Sequence, residues 1–290
     1  SESAATTGEP DLIQVPGNWN EHVSPGDRTP YGYGSYRLHI LVSPDDNSTF
    51  ALRIPSVRSA SEVFEDGQSM LRSGRPAAER VNHAAHNHPH TVTFAQDGSG
   101  EIEVVVHVSN HNDPRGGGII RSIRFGSADA VAREALLSLT MQQLTAVLFL
   151  MHAVYAIILY FVGTRDRRLL FFAMLTLSGI AMNLLSSDEK PLHLWFPIDY
   201  EWSFKLILLF IVSIAYALIQ CTRDHWPAWW RKLMPAYAAL CATSALLGLL
   251  LSTPTVVKAQ ALPVVLLAVS VFVSIVSMFR KSTIRWSIER

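Results

Sequence analysis

Four histidines, His83, His86, His88 and His90, stand close together in one short stretch. Imidazole can ligate a metal, and it titrates near neutral pH. Short His-rich tracts can hold zinc. Here the tract reads as a loop beside Pro89, with no Cys or close Asp to complete a ligand set. The expectation is no metal and no cofactor, with these four residues as weak candidates. A pH-sensing role is the other chemistry that the tract could support.

A second group suits a sugar or a related small molecule. Such a ligand needs aromatic faces to stack on and polar groups to fix its orientation. Trp19, Tyr31 and Tyr33 lie in loop-like stretches with Asn18, Asn20 and Arg28, and Asn110, His111, Asn112 and Arg115 form a second polar loop. The candidate ligand set is Trp19, Arg28, Tyr31, Tyr33, Asn110, His111 and Arg115. For Trp19, a place in the core is favoured over ligand contact, and Asn110 can equally cap a turn. Tyr31 and Tyr33, flanked by Gly32 and Gly34, are better placed for exposure. Gly116–Gly118 is no phosphate loop, because no Gly-Lys-Ser/Thr comes after it. A tight turn, or a close backbone approach, is its expected role. No pairing of nucleophile and base and no nucleotide motif stands out, so no catalytic residue is expected within these 290 residues.

The elements that must carry these residues fall into two classes. Before about residue 127 the chain holds short runs rich in β-branched and aromatic residues, bounded by turn residues. These are Asp11–Val15, Ser35–Val42, Phe50–Ile54, Ala60–Phe64, Thr91–Phe94, Glu101–Ser109 and Arg121–Phe125. Ser35–Val42 and Glu101–Ser109 alternate cleanly, as half-buried strands do. A turn is expected at Glu65-Asp66-Gly67. The pattern predicts an antiparallel sandwich over 11–127, after a flexible lead over 1–10. Ala128–Leu139 reads as a helix running straight into the first long apolar run, with 128–136 as a linker.

From Ala135 to Phe279 the chain is apolar, broken by short charged loops. Crossing a bilayer takes about 20 apolar residues, and in lipid such segments must be helices. Five spans are expected, at 137–162, 169–186, 206–221, 233–251 and 259–279, the third the shortest. His152 and Asn183 are the buried polar groups to watch, since polar groups in the membrane are costly and often functional. A helix–helix hydrogen bond is the favoured reading of both. Gln142, Gln143 and Lys205 lie near span ends and can snorkel. Pro235, Pro254 and Pro263 are expected near helix starts or in a loop. Trp195, Trp202, Trp226, Trp229 and Trp230 are expected as headgroup anchors.

Charge orients the spans. Arg165, Arg167 and Arg168 come after the first, Arg223, Arg231 and Lys232 after the third, and Arg280, Lys281, Arg285 and Arg290 after the fifth. Lys190, Lys205 and Lys258 are the sparser set between spans two and three and between four and five. Excess Lys and Arg marks the cytoplasm. The β-rich part should face outward and the carboxyl end inward, in a plasma membrane. Acidic residues in the loops count for little in this rule.

The 290 residues carry a formal net charge of +0, with 49% hydrophobic residues and a mean hydropathy of +0.21. Zero net charge argues against a nucleic-acid partner. Cys221 and Cys241 both lie in the apolar region, so cysteine usage is silent on the outer part. The chain begins at Ser1 without Met, which leads us to expect a removed leader or a longer protein.

Several pieces come in a familiar order: Val15-Pro16-Gly17-Asn18-Trp19-Asn20, Tyr31-Gly32 with Ser35-Tyr36-Arg37, Ala60–Gln68, and Val108-Ser109-Asn110 with Arg115-Gly116-Gly117-Gly118 after it. They resemble the jelly-roll, carbohydrate-binding-like domains of bacterial seven-transmembrane receptors with diverse intracellular signalling modules. The first three also resemble the sugar-binding sandwich of family 2 glycoside hydrolases. Gly163-Thr164-Arg165-Asp166-Arg167 to Phe171-Phe172-Ala173, and the Asn183–Tyr200 loop with Leu194-Trp195-Phe196-Pro197, resemble the same receptors' membrane part. The resemblance implies a multi-domain protein, an all-β jelly-roll or galactose-binding-like sandwich followed by an all-α transmembrane bundle. It also implies homodimers and a cytoplasmic histidine kinase, diguanylate cyclase or phosphatase. This chain departs from the family in supplying five spans rather than seven, no output module, and Asp66 where Asn often precedes the turn glycine.

Three functions compete. A receptor would capture a glycan or small molecule outside and move its helices in the lipid bilayer. A non-catalytic scaffold or accessory subunit would instead bind a protein partner. A small-solute transporter would need internal repeats and ionisable residues at mid-membrane, and the chain shows almost none.

Overall fold

The computed structural model describes residues 11–22, 29–43, 48–95, 100–226 and 228–288. The chain forms two compact units. The first holds everything up to Leu139 together with Asp188–His193, and the second holds Thr140–Ser187 and Leu194–Arg290.

The first unit is built of antiparallel strands: β1 Gly32–Leu41, β2 Thr49–Ile54, β3 Val57–Arg58, β4 Ala60–Glu65, β5 Gln68–Ser73, β6 His90–Ala95, β7 Glu101–Asn110, β8 Gly118–Ile119 and β9 Arg124–Ser127. One sheet has the order β1-β7-β4-β5, a second β6-β2-β9, and β3 pairs with β8. The alternation in β7 sends Ile102, Val104, Val106 and Val108 inward. They meet Leu52 and Ile54 of β2, Val63 of β4, and Phe94 of β6 in one core. Burying each such side chain contributes roughly 1.5–3 kcal/mol. Tyr36, Leu38 and Ile40 of β1 close the core at one edge.

Three strands had no readable pattern. β3 and β8 are two residues long, and β5 is polar and mostly exposed. Between β4 and β5, Asp66 and Gly67 take φ of 47° and 80°, the two positive values that a type I′ turn requires. The strand expected at Asp11–Val15 is irregular instead. Pro16 next to it has no N–H to donate, and the chain there is held by single bonds from Gly17 N to Ile119 O and Trp19 N to Gly117 O, each 3.0 Å. The last strand starts later than expected, at Arg124.

The helices are α1 Ala128–Leu159, α2 Arg167–Ser186, α3 Pro191–Trp195, α4 Tyr200–Thr222, α5 Ala228–Leu250, α6 Thr253–Lys258 and α7 Ala261–Ile288. α1 ends in a wider π-helical turn, Tyr160–Thr164. Asp166 then caps α2, its side chain accepting the Arg168 N–H at 2.9 Å. Ala128–Thr164, Arg167–Ser186, Tyr200–Thr222 and Arg231–Leu250 are long and apolar enough to cross a membrane. Ala261–Ser277 is a shorter apolar helix among the described residues. The third span is longer than expected. α4 begins six residues earlier than the predicted span because Lys205 pairs with Glu201 one turn away, at 2.8 Å, which lets the helix pass through charged residues. Lys205 is buried, with its amine turned back toward Glu201 in the first turn of the helix.

Within the second unit, α4 packs against α2, α5 and α7. Small residues allow close approach, as where Ala153 and Ala156 of α1 meet Ala173 of α2. Hydrogen bonds add specificity: Gln142 Nε2 donates to Asn183 O at 2.8 Å, and the hydroxyls of Thr222 and Ser274 (3.2 Å) and of Tyr237 and Ser270 (2.6 Å) join helix pairs. Leu144, Leu148, Met151 and Tyr155 of α1, with Phe272 and Val276 of α7, are exposed. So broad an apolar surface suits hydrocarbon, not water. Pro235 lies inside α5 rather than near its start. Trp195 and Trp202 are exposed, whereas Trp226 is buried beside Met234, its indole N–H on Thr222 Oγ1 at 3.2 Å. Trp226 is therefore no headgroup anchor.

Candidate functional site

The polar loop after β7 is an internally satisfied structure. Asn110 is fully buried. Its Nδ2 lies 2.7 Å from Pro30 O, 2.7 Å from Asp113 O and 3.2 Å from Gly116 O, and its Oδ1 accepts the Asp113 N–H at 2.9 Å. Asp113, also buried, takes the Arg115 guanidinium at 2.6 Å and Arg58 Nε at 3.4 Å. Arg58 in turn donates to Asn18 Oδ1 at 3.1 Å. Asn110 and Arg115 are thus occupied in shaping their own loop.

Trp19 packs against the core. A Cβ on Gly117 would come within 2.3 Å of its ring, and a Cβ on Gly116 within 2.6 Å of the Asn18 and Asn20 amide oxygens. The glycine run therefore makes room for Trp19 and its neighbours. Tyr31 is half-buried, its N–H on Thr29 Oγ1 at 3.1 Å. Arg28 lies outside the described residues. His111 donates from Nε2 to Ala77 O at 3.1 Å and sets its ring edge-on to His83 at 5.0 Å. Tyr33 leaves this loop group altogether. Its hydroxyl lies 2.5 Å from His107 Nδ1, on the outward face of the β1-β7-β4-β5 sheet.

The histidine tract splits into separate sites. His83 stands between Ser109 Oγ (2.8 Å) and Ser59 Oγ (3.1 Å). Burial, and then the neighbouring His111, push its pKa down to about 4. His86 and His88 stack at 3.9 Å, and His193 meets His88 edge-on at 4.8 Å. Burial first, then His86, His193 and Lys190, push His88 down to about 4. His90 donates from Nδ1 to His88 O at 3.1 Å, and burial lowers its pKa. Among the described residues no three His, Cys, Asp or Glu side chains are arranged to hold a metal ion.

One group of residues had no sequence signal beyond a few charges between two apolar runs. Asp188–His193 comes after α2 in sequence and belongs to the β unit. Glu189 is buried in an ion pair with Arg53 of β2, which also donates to Thr91 Oγ1 of β6 at 2.9 Å. Lys190 donates to Asn87 O at 2.6 Å. Burial, followed by the charge of Arg121, pushes its pKa down to about 8. Asp188 pairs with Arg121 at 3.5 Å and Arg124 at 3.8 Å. A buried ion pair whose partners lie 136 residues apart leaves no local pattern to read.

In the helical unit, His152 donates from Nδ1 to Leu148 O of its own helix at 2.7 Å and is exposed. Among the described residues it makes no bond between helices, contrary to expectation. The Asn183 backbone oxygen accepts from Gln142, which is buried rather than snorkelling.

No family model and no curated protein matches the chain. Among solved structures, it is similar to a family 2 (GH2) beta-galacturonidase from Eisenbergiella tayi bound to galacturonate, at 22% identity over 41% of this chain and 21% of that one, with a TM-score of 0.30. It is also similar to a beta-glucuronidase from Ruminococcus gnavus, at 16% identity over 41% of this chain and 23% of that one, with a TM-score of 0.33. A GH2 glycosyl hydrolase from Bacteroides cellulosilyticus shares 17% identity over 39% of this chain and 16% of its own, with a TM-score of 0.31. The chain thus spans less than a quarter of the length of each.

Proposed function

We propose that the protein is a membrane-bound sensory receptor of the seven-transmembrane type with intracellular signalling modules. Its jelly-roll-like β unit lies outside the plasma membrane and captures a carbohydrate or related small molecule. Its helices pass the response to a cytoplasmic output. The observation that carries this reading is the seating of Asp188–His193. This segment leads from α2 toward α4, and it is fastened to β2 by the Arg53–Glu189 pair and to Asn87 by the Lys190 amine. A ligand that favours one arrangement of those strands would bear directly on the chain that enters two membrane helices. A ligand shifts an equilibrium only through such a difference between states.

The test uses the full chain in lipid nanodiscs. Thermal-shift screening against sugars, peptides and small acids should yield a stabilising ligand, and hydrogen exchange with that ligand bound should change in α2 and α4. A bound ligand with unchanged exchange in both helices would reduce the protein to a binding scaffold. In intact cells, added protease should clip the β unit, while a tag after Arg290 should stay protected. The reverse pattern would place the β unit inside and end the proposal.

A further inference from the structure

The alternation that buries Val104, Val106 and Val108 of β7 turns Val105 and His107 to the opposite face of the four-stranded sheet. Cross-strand register then sets Ser35 of β1 opposite His107, His107 opposite Glu62 of β4, and Glu62 opposite Arg72 of β5. Four polar side chains from four strands thus lie in one row, at the interstrand spacing of about 4.8 Å. Val105 is opposite Phe64 in the next row.

The row is tied together. Tyr33 OH and Ser35 Oγ converge on His107 Nδ1 at 2.5 and 2.8 Å. Glu62 accepts Ser69 Oγ at 2.7 Å and faces Arg72 Nε at 3.4 Å. The Tyr33 ring stacks on His107 at 5.6 Å, and Phe64 meets it edge-on at 4.7 Å. With Nδ1 accepting from the tyrosine hydroxyl, a neutral imidazole carries its proton on Nε2 as a donor. Partial burial keeps His107 on the neutral side, lowering its pKa against the opposing pull of Glu62.

The charges nearest His107 are paired. Glu62 is matched by Arg72 and Glu103 by Arg37 at 3.2 Å, and His39 Nδ1 lies 2.6 Å from Glu101 Oε1. The face around His107 therefore offers no excess positive charge to attract an anion. It offers fixed hydroxyls, an imidazole, and two half-exposed aromatic rings. Rings present an apolar body while neighbouring polar groups set orientation. We propose that this face, centred on His107 with Tyr33, Ser35, Glu62, Phe64 and Arg72, is a binding site for a neutral saccharide. The sugar's C–H face lies against the rings and its hydroxyls meet the polar row. The proposal places the ligand of the receptor reading on the sheet face rather than in the loops around Trp19 and Asn110, and it stands or falls separately from signal transmission.

The full chain in nanodiscs is titrated with the methyl glycosides of glucose, galactose and mannose, and with the matching methyl uronates, by saturation-transfer NMR and calorimetry. At least one neutral glycoside should bind more tightly than its uronate. His107→Ala and Phe64→Ala should each weaken it about tenfold or more, as loss of a stacking contact and its polar partner does. Ser35→Ala, a milder change on an exposed side chain, should weaken it less without altering the melting temperature. His86→Ala, away from this face, should leave affinity unchanged. No glycoside binding, preference for the uronate, or binding indifferent to His107→Ala and Phe64→Ala would each overturn the site. A sugar that binds here yet leaves hydrogen exchange in α2 and α4 unchanged would uphold the site and sink the receptor reading.

Discussion

Gly117 shows how little freedom single positions have here. A methyl group there would sit 2.3 Å from the Trp19 ring, and Trp19 is packed on the core and bonded to Gly117 O through its own N–H. Gly117→Ala should cost about 1–3 kcal/mol by overpacking, read as a lower unfolding midpoint in denaturant; an unchanged midpoint would mean that Trp19 can move aside. The histidines set a pH dependence whose sign comes from their shifts. His83 and His88 fall from 6.5 to about 4 in the folded chain. Between those values the unfolded chain binds more protons than the native one, so stability is full above about pH 6.5 and declines as pH falls toward 4. Both rings are only partly buried, which softens the slope. Denaturation midpoints measured from pH 7 to pH 4 should fall, and His83→Gln should flatten the fall. A flat profile for the unsubstituted chain would contradict the partly buried, neutral imidazoles.

At the scale of elements, the Asp188–His193 segment depends on a charge pair in a dry place. Removing one partner strands the other. Arg53→Met should cost about 3–5 kcal/mol, and adding Glu189→Gln should recover much of it. Losses that simply add in the double variant would mean that the two side chains do not interact in solution. This coupling was not legible in the sequence, where Glu189 was one acidic residue in a short loop. By contrast, the alternation in β7 was legible because the spacing of Val104, Val106 and Val108 is itself the signal. β5 was not, because Gln68–Ser73 is exposed on most of its length and has no apolar face to advertise.

At the scale of the molecule, four helices among the described residues are long and apolar enough to cross a membrane, and they come after a β unit with its own core. Leu148 tests the surrounding medium. It is 53% exposed in α1, so in water Leu148→Arg would be nearly neutral. In a bilayer it should cost about 2.5–3.5 kcal/mol of insertion free energy, seen as a reduced membrane-integrated fraction in an insertion assay. Full integration of the variant would count against lipid contact at this face.

The class of each half was readable from the residues alone. Strand alternation and long apolar runs are local patterns, and the backbone must answer them with sheets before residue 127 and helices after it. The residues that share a site were not readable. Tyr33 was singled out for its glycines, but its partners His107, Ser35, Glu62 and Phe64 come from three strands, and Trp19 and Asn110 turned inward to serve the fold. Which side chains meet across strands is set by register. Register is decided when distant segments bury their apolar faces together, and only the tertiary structure holds that information.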